Sequence, residues 1–235
     1  MRAALLPLVL LALPAAAQEV DLELVLLADA SGSIRADELA FQREGYAEAL
    51  TSPEVLAAIA SNFTGTIALA YVEWAADTAV VVDWTLIDGP AAARRFADEL
   101  RAMPRLAFGR NAIGTALIEG RRLIETNAYE GLRRVIDFSG DSVGNFSGPS
   151  IAAARAEVLA AGITINGLPI HCTSCFPGSG GNLEEQYRAM IIGGPGAFVV
   201  AAEGRADFAA AVRRKLVLEI AGRTPDDATA LAAAD

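Results

Sequence analysis

The stretch LVLLADASGSI, residues 24–34, is an unbroken apolar run that ends at a carboxylate and a short polar loop. A continuous apolar run is typical of a strand that is buried on both faces of a parallel sheet. The loop behind it offers Asp29, Ser31 and Ser33 at alternate positions. One carboxylate with two hydroxyl groups is a hard-oxygen set that suits Mg²⁺ or Mn²⁺.

The size and charge of the chain narrow the classes of function. It has 235 residues, of which 53% are hydrophobic, so it can bury a substantial core as a single domain. Its 19 basic and 29 acidic residues give a net charge of −10. An acidic surface repels nucleic acid and anionic membranes and favours cations or basic proteins as partners.

The first 17 residues have the pattern of a secretory signal peptide. Arg2 precedes a nearly unbroken apolar run at 3–13, and the small residues Ala15, Ala16 and Ala17 follow. This run is too short to span a bilayer, and no later stretch is long and uncharged enough to do so. We therefore expect cleavage after Ala17 and export to the periplasm or out of the cell, without a membrane span.

The remaining chain alternates apolar runs with helix-forming segments. Six strands are predicted, at 20–28, 66–74, 78–86, 132–139, 163–170 and 197–201. The second and third are joined by three residues and should form an antiparallel hairpin. The pattern predicts an α/β fold with a doubly wound, mostly parallel six-stranded sheet that has one antiparallel strand. Residues 18–222 form the predicted domain, and the Asp-, Ala- and Pro-rich residues 223–235 form a predicted disordered tail.

Three predicted loops leave the carboxyl ends of strands with oxygen-bearing side chains. They are 29–33, the loop before the helix that begins at Ala112, and 140–145. In an open α/β sheet, ligands bind at such ends where the strand order reverses. The three loops are therefore expected to converge on one site.

Several stretches together resemble the von Willebrand factor type A domain. DASGSI at 29–34 looks like the Asp-x-Ser-x-Ser signature of that family, and VIDFSGD at 135–141 fits a later strand and loop of its fold. EWAADTAVVVDWTLIDGP and ITINGLPI are similar to an exported bacterial branch known only as a domain of unknown function. The resemblance covers about residues 20–222 and implies a Rossmann-like fold with a metal-ion-dependent adhesion site (MIDAS).

The resemblance also implies which residues bind the metal. Asp29, Ser31 and Ser33 are the implied first-loop ligands, and Asp141 matches the third-loop aspartate. In that family an Asp or Glu of a protein partner completes the coordination. Binding to the partner would then depend on the cation.

Two positions depart from the family pattern. Aligning GRNAIGTAL at 109–117 places Asn111 where the family usually has threonine, and Thr115 is the reserve candidate. Ser142 follows Asp141 where glycine is usual. An amide oxygen can bind a hard cation, so Asn111 is retained as a predicted ligand, with a lower affinity or a different metal as a consequence.

The same residues also have structural interpretations. Asp29, Ser31 and Ser33 are of the types that cap helices and turn loops. Asp141 lies in a sequence typical of turns, and Asn111 is a suitable N-cap for the helix that follows. Such roles would require no metal.

Asp137 stands between apolar residues in the middle of the predicted strand 132–139. An unpaired buried carboxylate is energetically costly. We therefore expect Asp137 to pair with an arginine or to accept backbone hydrogen bonds.

Cys172 and Cys175 lie in a Gly-rich loop after the predicted strand 163–170. In an exported protein this spacing indicates a disulfide, a redox pair or half of a metal site. His171 is the only histidine and there is no second cysteine pair, so a structural zinc site would lack ligands. We favour a small disulfide that closes the loop.

These observations predict an exported module, not an enzyme, that binds a protein partner through Mg²⁺ or Mn²⁺. Two alternatives stay open: a metal-dependent enzyme, such as a hydrolase, at the same sheet edge, and a metal-free structural domain. An enzyme would need a general base or a nucleophile near the metal. The sequence contains neither a nucleophile elbow nor a phosphate-cradling loop.

Overall fold

The computed structural model describes residues 17–171 and 182–232. Residues 1–16 of the predicted signal peptide and the predicted Cys172–Cys175 disulfide lie outside the described residues. No helix in the described ranges is long and apolar enough to cross a membrane. The strands are β1 (Gln18–Asp29), β2 (Ile67–Trp74), β3 (Thr78–Ile87), β4 (Tyr129–Gly140) and β5 (Thr164–Pro169). The helices are α1 (Ala36–Leu50), α2 (Pro53–Ala60), α3 (Pro90–Ala102), α4 (Ile113–Thr126), α5 (Ile151–Ala160), α6 (Leu183–Met190), α7 (Arg205–Ala221) and α8 (Pro225–Ala232).

The strands form one mostly parallel sheet in the order β3-β2-β1-β4-β5. β1 pairs in parallel with both β2 and β4, and β4 pairs in parallel with β5. β2 and β3 form the predicted antiparallel hairpin. The winding of the chain therefore reverses between β1 and β4, and the carboxyl ends of these two strands are where such a fold binds ligands.

β1 is buried on both faces, as its sequence predicts. Leu22, Leu24 and Leu26 pack on one face in a cluster shared with α1, α2, α3 and α7. Val25 and Leu27 pack on the other face with α4, α5 and α6. Helices thus cover both faces of the sheet, and the carboxyl end of β1 is held from two sides.

The predicted sixth strand at 197–201 is not a strand of this sheet among the described residues. The chain there makes one isolated parallel bridge to β5, between Val199 and Gly167, and a second bridge follows between Ala202 and Ile170, just beyond β5. Pro169 lies between these bridges and has no amide hydrogen with which to continue the ladder. The sheet therefore has five strands rather than six.

The predicted disordered tail also differs from the structure, because α8 occupies most of it. Asp227 Oδ2 accepts a hydrogen bond of 2.8 Å from the Thr224 amide, and Thr224 Oγ1 accepts one of 3.3 Å from the Asp227 amide. This reciprocal pair is a helix N-terminal cap, and Pro225 at the first helical position fits it. The composition of the tail did not predict this cap, because Asp and Pro are also common in disordered chains.

Asp137 of β4 belongs to a buried charged cluster, which we call the core cluster. Lys215 Nζ lies 2.8 Å from Asp137 Oδ1 and 2.5 Å from Glu219 Oε1. Asn166 Nδ2 donates a 2.9 Å hydrogen bond to the same Glu219 oxygen, and all four residues are buried. Asp137 therefore pairs with the only lysine of the chain, not with the expected arginine.

Candidate metal centre

The carboxyl ends of β1 and β4 bring Asp29 and Asp141 together. Ala28 pairs with Ser139 across the two strands, so Asp29 lies level with Gly140 and beside the start of the following loop. Asp29 is completely buried, whereas Asp141 is partly buried. The parallel register thus produces the carboxylate pair that the sequence predicts.

The loop after β1 arranges oxygen atoms around Asp29. Asp29 Oδ1 accepts a 2.8 Å hydrogen bond from the Ser31 amide, and the hydroxyl oxygens of Ser31 and Ser33 lie 3.1 Å apart. Ser31 is completely buried, and Ser33 is partly buried. The Gly32 amide donates a 2.8 Å hydrogen bond to the Gly109 carbonyl, which joins this loop to the second one.

One carboxylate oxygen of Asp29 has no protein partner. Oδ2 is buried and accepts no hydrogen bond from any described residue. It faces Gly140, where a Cβ atom would lie 3.0 Å from it. A buried carboxylate oxygen without a donor is destabilising unless a proton or a cation neutralises it. Gly140 therefore packs closely against this oxygen, and a larger residue at that position would press on Asp29 and Trp74.

Both carboxylates of this pair hold their protons more tightly than ordinary aspartates. Burial, together with the charge of Asp141, raises the pKa of Asp29 to about 7. Burial also raises the pKa of Asp141, where the Ser33 hydroxyl opposes the shift and the charge of Glu38 adds to it. No basic side chain among the described residues offsets these effects at Asp29 or Asp141. A cation between them would relieve the same repulsion.

Asn111 is held in place by Ser142, the other residue that departs from the family pattern. Its Nδ2 donates a 2.8 Å hydrogen bond to Ser142 Oγ, and the side chain is almost fully buried. Because the nitrogen is used in this bond, Oδ1 is the atom that remains for a cation. The Asn111 carbonyl accepts a 2.8 Å hydrogen bond from the Phe146 amide, so the second and third loops are joined as well.

Thr115, the reserve candidate, lies elsewhere. Its hydroxyl packs directly against Gly148 in the loop after β4, where no side chain would fit. Asn145 Oδ1 accepts a 3.1 Å hydrogen bond from the Gly114 amide, and Asn145 Nδ2 donates to the Pro149 carbonyl at 3.0 Å. These contacts fasten the third loop to α4, and Asn111 stays the predicted second-loop ligand.

Two aromatic residues that frame the site were not among the predicted site residues. Tyr187 donates a 2.8 Å hydrogen bond from its hydroxyl to the Gly140 carbonyl, and Trp74 Nε1 donates to the Ser139 carbonyl at 3.2 Å. Both aromatic side chains are completely buried, so they hold the end of β4 in place. One feature could have indicated Trp74: it ends β2 and pairs with Asp29 in the register of β1 and β2. Tyr187 lies in α6, and no local motif connects it with the loops.

The site residues fit a hard divalent cation. Three loops supply two carboxylates, two hydroxyl groups and one amide oxygen, which are the ligand types of Mg²⁺ and Mn²⁺. Such an ion would supply the missing partner of the buried Asp29 Oδ2. The structure brings together four of the five predicted metal ligands, Asp29, Ser31, Ser33 and Asp141. The fifth, Asn111, is connected to them through its hydrogen bond to Ser142, the residue that follows Asp141.

The fold and this site define a von Willebrand factor type A-like domain. The von Willebrand factor type A structure from Catenulispora acidiphila has a TM-score of 0.53 and 17% identity, over 86% of this chain and 43% of that one. Proximal thread matrix protein 1 from the mussel byssus has a TM-score of 0.62 and 15% identity, over 88% of this chain and 48% of that one. Another structure of the mussel protein has a zinc-occupied MIDAS motif, with a TM-score of 0.59, 16% identity and coverages of 88% and 49%. BatB from Bacteroides thetaiotaomicron has a TM-score of 0.55 and 15% identity, over 86% of this chain and 99% of that one.

The chain belongs to the family described as "Protein of unknown function (DUF1194)", whose model matches residues 19–224. No curated protein matches the sequence. The chain spans about half the length of the mussel protein. The predicted resemblance to an unassigned branch of von Willebrand factor A-like domains is thereby confirmed, and the structural likeness at these identities shows the fold.

Proposed function

We propose that this chain is an exported protein-binding module that holds its partner through a divalent cation. Mg²⁺ or Mn²⁺ would be bound by Asp29, Ser31, Ser33, Asn111 and Asp141. The observation that carries the proposal is the buried Asp29 Oδ2, which has no hydrogen-bond donor among the described residues. The zinc-occupied MIDAS motif of the mussel relative supports a divalent site in this fold.

The ligand set leaves the cation able to attract a partner. Asp29 and Asp141 are the only charged ligands among the five, so their charge does not exceed that of a divalent ion. The bound cation would supply an open coordination position for an Asp or Glu side chain of the partner. Ser31 and Ser33 would supply neutral oxygen ligands. Ser142 fixes the orientation of the Asn111 side-chain amide through a hydrogen bond.

The proposal includes export and excludes a catalytic role. The signal-peptide pattern of residues 1–17 supports export. His171, the only histidine, follows β5, which β4 separates from β1 in the sheet. Catalysis at the cation would require a general base within hydrogen-bonding reach of the reacting group, and this position of His171 argues against that role.

Calorimetric titration of Mg²⁺ and Mn²⁺ into the metal-stripped mature protein tests the site. We expect saturable binding by the wild type and none by Asp29→Ala or Asp141→Ala. Asp88→Ala is the matched control, because this exposed aspartate follows β3 at the opposite edge of the sheet. Absence of binding by the wild type at millimolar cation would contradict the proposal.

Partner binding is then tested with immobilised protein and an envelope extract of the source organism. We expect a protein that is retained with Mg²⁺, released by a chelator and not retained by Asp141→Ala. A cation-dependent turnover that survives repurification would instead favour the enzyme alternative. Retention that is unchanged by the chelator and by Asp141→Ala would favour a metal-free structural domain.

A further inference from the structure

A second cluster of metal-ligating side chains lies beyond the carboxyl end of β5. His171, Glu184 and Glu203 each bring one ligand atom to within 4.8 Å of the others. The closest measured pair is His171 Nε2 and Glu203 Oε1, at 3.8 Å. The three residues come from separate segments of the chain, so the fold and not sequence adjacency brings them together. None of them contributes to the site of Asp29 and Asp141.

Backbone contacts hold two of these residues side by side. Ile170 and Ala202 form an isolated parallel bridge, and the His171 amide donates a 3.0 Å hydrogen bond to the Ala202 carbonyl. Glu203 follows directly, so it is placed beside His171. The backbone that follows the predicted strand 197–201 therefore places Glu203 beside His171. Glu184 approaches them from the first turn of α6.

The separations are compatible with a metal ion after small side-chain rotations. Ligand atoms around a tetrahedral zinc ion, each about 2.1 Å from the metal, lie about 3.4 Å apart. The side chains of Glu184 and Glu203 are 35% and 70% exposed, so they can rotate without disturbing the core. Glu184 also forms a 3.5 Å ion pair with Arg188, and a surface pair of this kind is weak.

We propose that His171, Glu184 and Glu203 bind a divalent transition-metal ion of the Zn²⁺ class. An imidazole nitrogen with two carboxylates favours zinc over Mg²⁺, in contrast to the all-oxygen set at β1 and β4. The two carboxylates repel each other, and a dication removes that repulsion. Glu184 and Glu203 also line a cavity of about 650 Å³, so solvent reaches both carboxylates.

The test measures Zn²⁺ binding to the mature chain without a polyhistidine tag. His171 is the only histidine, so its imidazole NMR signals report this site alone. Cys172→Ser and Cys175→Ser are introduced so that thiolates supply no ligands, and excess Mg²⁺ is present to saturate the site of Asp29. We expect the His171 signals to shift and to saturate at one equivalent of Zn²⁺.

Matched variants identify the carboxylate ligands. Glu184→Gln and Glu203→Gln are each expected to weaken Zn²⁺ binding by about tenfold or more. Glu185→Gln is the control, because this exposed residue is adjacent in α6 but outside the cluster, and its affinity should equal that of the parent. Unchanged His171 signals at millimolar Zn²⁺, or wild-type affinity in both cluster variants, would overturn the proposal. Backbone spectra confirm that each variant is folded, and none of these results depends on Mg²⁺ binding at Asp29.

Discussion

Two pairs of buried or partly buried carboxylates, each with one member in the sheet, differ in what neutralises them. In the core cluster, Asp137 and Glu219 share the ammonium group of Lys215 at 2.8 and 2.5 Å. At the metal centre, Asp29 and Asp141 have no basic partner among the described residues. The chain thus supplies the positive charge for one pair and omits it for the other. We propose that the second pair takes its positive charge from a cation in solution.

Removing the cation of the core cluster should have the largest effect on stability. Lys215→Met leaves Asp137 and Glu219 buried without a counter-charge, and we expect a loss of about 5 kcal/mol in the free energy of unfolding. Urea unfolding measures it. Adding Asp137→Asn and Glu219→Gln to this variant should restore most of the loss, because the buried charges disappear together. A loss below about 1 kcal/mol for Lys215→Met would show that the cluster is not held by charge.

The metal-free centre should make stability depend on pH. Unfolded Asp29 ionises near its ordinary pKa of 3.8, whereas the folded carboxyl keeps its proton up to about pH 7. The folded state therefore binds more protons in this window, and its stability falls as the pH rises through it, by roughly 4 kcal/mol from Asp29 alone. Urea unfolding of the protein in a chelator, at a series of pH values, measures this slope.

Asp29→Asn provides the contrast for the pH experiment. The variant should lose the share of the slope that belongs to Asp29. It should retain the part of the pH-dependent slope that comes from Asp137 and Glu219, because burial also raises the pKa values of these two carboxyl groups. Identical pH profiles for the wild type and Asp29→Asn would contradict the assignment of a buried, protonated Asp29.

The paired departures Asn111 and Ser142 should behave as a unit. Asn111→Thr alone removes the hydrogen bond to Ser142 Oγ, which we expect to lower Mg²⁺ affinity by about tenfold. Combining it with Ser142→Gly restores the family pattern at both positions, and affinity should return to within about threefold of the wild type. Calorimetry on the four proteins of this cycle measures the coupling. Strictly additive effects would mean that the bond does not position the ligand.

Thr115→Ala should have the smallest effect. The Thr115 hydroxyl packs against Gly148 and not into the metal centre, so Mg²⁺ affinity should remain within about twofold of the wild type. Stability should change by less than about 1 kcal/mol. A tenfold loss of affinity in the calorimeter would restore Thr115 as a ligand in place of Asn111.

The parts of this molecule that follow local rules could be predicted from the sequence. The apolar run of β1 predicts a strand buried on both faces, and the loop chemistry after it predicts the position of Asp29, Ser31 and Ser33. Parallel strands share a carboxyl edge, which is why Asp141 could be expected beside Asp29. These inferences need only the period of the hydrophobic pattern and the direction of the strands.

Features that depend on distant contacts could not be predicted. The pattern at 197–201 is strand-like, but Pro169 on the neighbouring strand interrupts the ladder. Asp137 was expected to pair with an arginine or to accept backbone hydrogen bonds, and nothing near it in sequence indicates Lys215. The bond between Asn111 and Ser142 joins two positions that look like separate departures from a family pattern. In each case the partner lies at least 28 residues away along the chain.

The most direct test of the central claim counts the protons that Mg²⁺ displaces. If the cation replaces the proton on Asp29, calorimetry in buffers of different ionisation enthalpy should show release of about one proton at pH ~6 and close to none at pH ~8.5. Asp29→Asn, if it retains any binding, should release none from this site. Mg²⁺ binding without proton release at pH ~6, or equal release by Asp29→Asn, would show that the ion binds elsewhere.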